Sequence, residues 1–214
     1  MLLTGIIINK ISPGLKGAFA ESIAAVLNKV VVQYGMDTAD ILEDFIPNLL
    51  VECAEFTKFE ENLRYSASRL MQVWPSRFPT LSKAKQAAYN GQLLGNIVYG
   101  GRLGNTMPND GWWFRGSGPL QGTGKGIITQ FCTYYNAKFS TSINAYDMAD
   151  KMRDHINLEI GLHFACWFFS IAKGLIQLAI DDNFKQIVFR INGGFNGLDD
   201  RTRYYLRAKV ALAQ

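Results

Sequence analysis

The strongest constraint on this chain is the spacing of its apolar residues, which recur every three or four positions along much of its length. Phe19, Ile23, Leu27 and Val30 to Val31 share one helical face that ends near Gly35, and Ile41, Leu42, Phe45, Ile46, Leu49 and Cys53 define a second. Ser66 is placed to cap a short helix through Leu70, Val73 and Trp74, which Pro75 stops. Helical pattern returns from about Ala145 to Ile180, continues through Phe184 to Ile191, breaks at Asn192-Gly193-Gly194 and resumes after Asp199. Between Asn90 and Gly126 the texture changes: glycine recurs at 91, 95, 100, 101, 104, 111, 116, 118, 122, 124 and 126, which predicts an irregular, loop-rich wall. The expectation is a mainly α fold. With 214 residues, 48% hydrophobic and 19% charged, the chain suffices for one domain over residues 1–214 with a sizeable core, and residues 1–35 form a helical segment packed on it.

Composition excludes several functions. Twenty-two basic against 18 acidic residues give a net charge of +4, a mild excess that favours approach to an anionic surface such as a bacterial envelope. Arg201, Arg203, Arg207 and Lys209 concentrate charge near the C-terminus, but no nucleic-acid motif accompanies them. Cys53, Cys132 and Cys166 lack CxxC spacing, and with only His155 and His163 beside them neither a disulfide framework nor a metal site is expected. No cofactor motif is present: Gly122-Thr123-Gly124 lacks the GxxxxGK[ST] pattern of a phosphate loop. The apolar start MLLTGIIINK makes a poor signal peptide. The stretch from Ile160 to Ile180 has transmembrane length, but His163, Lys173 and Gln177 interrupt it, so a buried core helix is expected rather than an integral membrane protein.

One charged residue breaks the apolar pattern. At about 100° per residue, Glu52 points with Phe45, Leu49 and Phe56, while Val51 points away. Removing a carboxylate from water raises its pKa, as a general acid near neutral pH requires. The structural alternative is a glutamate at the helix border satisfied by an arginine, and Pro47 makes angles measured across it approximate.

The run VECAEFTKFEENLRYSASRLMQVWPSRF resembles the segment HESGGFxxxxENLNYSAxxLxxVFPxRF of glycoside hydrolase family 19, the chitinase-like endolysins of bacteriophages and bacteria. Three further blocks follow in the family's order: NIVYGGRLGN, then DGWWFRGSGPLQGTG, similar to DGWxYRGRGLIQLTG, then INGGFNGLDDR. The resemblance spans Glu52 to Arg201 and implies a lysozyme-like α-helical fold with a sugar-binding cleft, cutting β-1,4 bonds between N-acetylated aminosugars. It implies Glu52 as general acid, Glu61 as general base, and Thr123 as the hydroxyl residue that helps hold the attacking water. Gln121 and Asn192 match substrate-binding positions, and Arg201 the arginine near the catalytic carboxylates. Trp112 takes a sugar-facing place by its position in the family. Tyr99 and Asn105 fall in the loop-rich wall facing the cleft, although turn chemistry explains Asn105 equally well.

Inverting hydrolysis needs one protonated and one ionised carboxyl group, roughly 6.5 to 9.5 Å apart, in environments that split their pKa values. Glu52 on the apolar stripe suits the first role and Glu61, past the helix end, the second. Glu55, about 80° off the stripe, and Glu60 are the competitors.

The chain departs from the family pattern at Val51, Cys53, Ala54, Ser117 and Gly122. With no internal repeat or linker, no separate wall-binding module is expected. The leading expectation is an endolysin of muramidase type, active on the glycan strands of peptidoglycan. It would be monomeric, made in the host bacterial cytoplasm and dependent on a separate holin-type protein for access to the wall. The alternatives are a chitinase, a lytic transglycosylase that uses one glutamate, and a catalytically inactive wall-binding protein.

Overall fold

Side-chain caps and left-handed stops decide where this chain becomes helical. A computed structural model describes residues 1–213. Its helices are α1 (Gly5–Ile11), α2 (Gly17–Val31), α3 (Ala39–Glu52), α4 (Ala67–Val73), α5 (Leu81–Ala87), α6 (Gly91–Tyr99), α7 (Asp110–Trp113), α8 (Lys125–Phe139), α9 (Ala145–Arg153), α10 (Glu159–Trp167), α11 (Ile176–Ile180), α12 (Phe184–Asn192) and α13 (Leu198–Leu212). Thr4, Ser66, Thr80 and Asn90 each accept a backbone N–H in the first turn of the helix they precede, which satisfies a donor the helix cannot. Gly35 and Gly193 take left-handed conformations after α2 with its 3₁₀ extension and after α12. The mainly α expectation holds.

The chain forms two compact units. The first comprises Met1–Phe59, Gly118–Leu120 and the described residues from Lys151 onward. Here α3 is the central element, packed against α13, α11 and α12, while α1 rests on α2 and α13, and α2 on α10. Phe45 meets Phe169 edge to face with centroids 5.3 Å apart, and Ile41, Leu42, Ile46 and Leu49 are buried. Pro47 lies inside α3, where its ring deprives the Glu43 carbonyl of a helical donor, yet the helix runs on to Glu52. The apolar stretch from Ile160 becomes the buried α10, then a π-helical turn over Phe168–Ala172 that stops at the left-handed Gly174. Among the described residues no helix is long and apolar enough to cross a membrane.

The second unit comprises Glu60–Ser117 and Gln121–Asp150. Leu63, Leu70, Phe78, Ala84, Ala87, Leu94 and Val98 form its core, with Tyr65, Trp74 and Trp112 packed against them. The expected irregular wall is only partly irregular, because α6 and α7 lie within it. Some of its glycines serve helix packing: a Cβ on Gly111 would fall 2.5 Å from the Gly95 carbonyl oxygen, so α6 and α7 approach too closely for any side chain there. Asp110, fully buried at the start of α7, accepts from Thr106 N, Met107 N, the Tyr146 hydroxyl and Lys125 Nζ. Burial opposes its charge, but those bonds outweigh burial and hold its pKa below the usual aspartate range.

Candidate active site

Glu52 is the last residue of α3, and the backbone beyond it turns sharply. Ala54, Glu55 and Phe56 all have positive φ, at 46°, 54° and 62°. Phe56 and Glu55 are therefore not on the helix, and the angular argument that grouped the first with Glu52 and set the second apart does not apply to them. Phe56 is buried by the turn itself. Glu55 accepts from the Ser12 hydroxyl and from the Tyr204 hydroxyl at 2.7 Å, and these bonds lower its pKa. Cys53 donates its thiol to the Leu49 carbonyl at 2.9 Å, and burial pushes that thiol up to about 12, far from the range of a reactive cysteine.

Glu52 keeps 18% of its side chain exposed and pairs with Arg201 Nη2. The arginine is the neighbour that the family resemblance implied, and its charge makes the setting less apolar than the helical stripe alone suggested. Arg201 is buried and spans three partners from α13: its Nη1 donates to Asn48 Oδ1 at 2.8 Å, and its Nη2 also reaches Asn192 Oδ1 at 3.4 Å. Asn192, the last residue of α12, bonds the Val188 carbonyl through its own amide. The first unit thus brings together Glu52, Asn192 and Arg201, and adds Asn48. Sequence reasoning passed over Asn48, although it sits one helical turn before Glu52 on the same face. The ion pair serves the structural reading of Glu52 and a catalytic one equally.

A second buried acid lies farther back on α3. No hydrogen bond reaches either carboxylate oxygen of Asp44 among the described residues. Burial, reinforced by the nearby charges of Glu43 and Asp182, lifts its pKa to about 8. Lys209 holds both neighbours, Glu43 at 3.2 Å and Asp182 at 2.8 Å.

In the second unit Glu61 is framed on both carboxylate oxygens. The Tyr99 hydroxyl donates to Oε1 at 2.7 Å and Gly116 N to Oε2 at 3.1 Å, while Glu61 N donates back to the Gly116 carbonyl at 2.9 Å. Both oxygens accept, as a carboxylate does. Burial and the Glu61 charge drive the Tyr99 hydroxyl far above its ordinary pKa, so it remains a donor. Antiparallel bridges from Glu60 to Ser117 and from Ser117 to Gly122 fix the local backbone. Ser117 is buried and its hydroxyl donates to the Arg115 carbonyl.

Gln121 lies beside this frame: a Cβ on Gly116 would meet its Oε1 at 2.7 Å and Glu61 Cβ at 3.0 Å. Thr123 donates its hydroxyl to the Gln121 carbonyl at 2.9 Å. Glu61 also lines a groove of about 570 Å³ with Glu60, Asn62, Arg64, Tyr89 and Trp112, a volume within the range of small-ligand sites. One face of Trp112 is covered by the Arg115 guanidinium, 3.6 Å from the ring centroid, and Arg115 in turn holds Glu60. Trp113 does not line this groove; it meets Tyr146 edge to face.

Asn105 differs from its expected place on a cleft wall. It is only 1% exposed, its amide donates to the Tyr99 carbonyl at 3.0 Å, and its oxygen accepts from Lys125 N at 2.9 Å. Both ends of that side chain are committed to holding the loop to the start of α8, as turn chemistry allowed.

No family model matches the chain. It is, however, 31% identical over 208 residues, 96% of this chain and 94% of the relative, to a glycosyl hydrolase family 19 domain-containing protein of Haemophilus influenzae. Fold and relative together make this a glycoside hydrolase of mainly α, lysozyme-like architecture. The chain belongs to glycoside hydrolase family 19.

Proposed function

We propose that this enzyme cleaves β-1,4 bonds in the glycan strands of bacterial peptidoglycan by an inverting, two-carboxylate mechanism of muramidase type. The observation that carries the proposal is the Glu61 frame: a carboxylate held on both oxygens at the edge of a ligand-sized groove. In this reading Glu61 orients and deprotonates the attacking water, and Thr123 helps hold that water. Glu52 gives its proton to the leaving oxygen. Arg201 then steadies the carboxylate that remains, which gives the ion pair a catalytic purpose. Gln121, Asn192, Trp112 and Tyr99 serve the sugar rings or the carboxylates that act on them.

The biological role in this reading is that of an endolysin, a monomer released from the host cytoplasm to the wall by a separate holin-type protein, which ends in host lysis. The small net positive charge and the endolysin-like motif blocks support it. Proton NMR of the first products of a purified murein digest tests the mechanism. Initial release of the α-anomer is expected for inversion, whereas initial β-anomer would refute it. Efficient cleavage of chitin oligomers with murein untouched would replace the peptidoglycan reading with that of a chitinase.

A further inference from the structure

The groove beside Glu61 carries three charged side chains, and two of them are already engaged. Glu60 is taken by Arg115, which donates to it through Nε at 2.8 Å and also through Nη2. Arg115 has little left to offer a ligand: it is buried, its Nη1 donates to the Trp112 carbonyl, and its guanidinium lies on the Trp112 ring. Glu61 is held by Tyr99 and Gly116. Arg64 is the exception. It is exposed, lines the same groove, and among the described residues no carboxylate lies within ion-pairing distance of it.

The backbone under Arg64 is nonetheless fixed. Its N–H donates to Asn62 Oδ1 at 2.9 Å, Leu63 before it is buried in the core, and Tyr65 after it packs edge to face on Trp74 with centroids 5.2 Å apart. The Tyr65 carbonyl also receives Tyr89 N at 2.9 Å, which ties this loop to another residue lining the groove. A guanidinium with an anchored base and an unneutralised head, beside a carboxylate that repels anions, sorts a ligand by charge along its length. The neutral ring belongs near Glu61 and an anionic substituent near Arg64.

We propose that Arg64 forms an anion subsite that reads a carboxylate carried by the muramic acid residues of peptidoglycan, and so favours that polymer over neutral chitin. This rests on the peptidoglycan reading above. Chitin offers only hydroxyl and acetamido groups, which gain nothing from a full positive charge. Peptidoglycan carries carboxylates on its stem peptides and, where the stems have been removed, on the lactyl ether.

The test compares kcat/KM of the wild type and Arg64→Gln on stem-bearing murein, on glycan strands stripped of stems by an amidase, and on chitin oligosaccharides. The substitution is expected to cost about two- to fivefold on murein, the upper part of the range for a solvent-exposed ion pair, and to leave chitin oligomers unchanged. A penalty confined to stem-bearing murein locates the carboxylate on the peptide. A penalty confined to stripped strands locates it on the lactyl ether, and a penalty on both shows that the subsite accepts either carboxylate. Equal losses on all three substrates, or a loss under twofold on both anionic ones, would overturn the subsite while leaving the peptidoglycan reading intact. A wild type that cleaves chitin oligomers and not murein would overturn both.

Discussion

Replacing Glu52 with glutamine separates the two roles that its ion pair with Arg201 permits. Glutamine keeps an oxygen for Arg201 Nη2 to donate to and has the same shape, so what is lost is the charge. Arg201 retains its 2.8 Å bond to Asn48, so the buried guanidinium is not left without an acceptor. The difference between a charge-assisted and a neutral hydrogen bond is about 1 kcal/mol. For a chain of this size that lowers Tm by roughly 2–4 °C. Turnover should fall far more, by about 10²- to 10⁴-fold, the usual contribution of a general acid. Thermal melts by circular dichroism and chromatography of soluble muropeptides measure the two effects on one preparation. A folded variant within about tenfold of wild-type activity would refute the catalytic role and leave Glu52 as a structural partner of Arg201.

Three further outcomes are expected. Tyr99→Phe removes the donor to Glu61 Oε1 and, in the proposed mechanism, should lower kcat about tenfold with KM nearly unchanged, since there it disturbs the proposed base rather than the groove; steady-state kinetics in which KM alone rises would make Tyr99 a sugar-binding residue. Asp44, lifted to about 8 when folded, binds a proton between about pH 4 and pH 8 that the unfolded chain releases, so folded stability declines with rising pH through that window. Asp44→Asn should flatten that decline in melts at pH 4, 6 and 8, and an unchanged slope would contradict the assignment. Ala54 occupies a left-handed conformation that costs a non-glycine residue about 1 kcal/mol, so Ala54→Gly should raise Tm by roughly 2–4 °C in calorimetry, and a lowered Tm would contradict the strain.

What the sequence revealed follows from how local each signal is. The helices α2, α3 and α4 were legible because their apolar spacing and the Ser66 cap lie within a few residues. The helix α8 was not, because KGIITQFCTYYNAKF is rich in β-branched and aromatic residues and follows a glycine run, so its weak periodicity competes with poor propensity. Gly91 and Gly95 argued against α6 locally, yet packing on α7 outweighs their propensity cost. The three-residue left-handed turn after Glu52 had no glycine to announce it. Glu52 stood out as a charge in an apolar pattern, but its partner Arg201 is 149 positions away and was reachable only through family resemblance. The Glu61 frame was half legible: Tyr99 was a candidate, whereas the Gly116 N–H donor carries no side-chain signal at all.

Mass spectrometry of murein digested in ¹⁸O-labelled water tests the central claim most directly. Water-dependent hydrolysis predicts new muramic acid reducing ends that carry a single ¹⁸O. Unlabelled anhydro-muramic ends, or strands left uncut by a folded enzyme, would contradict it.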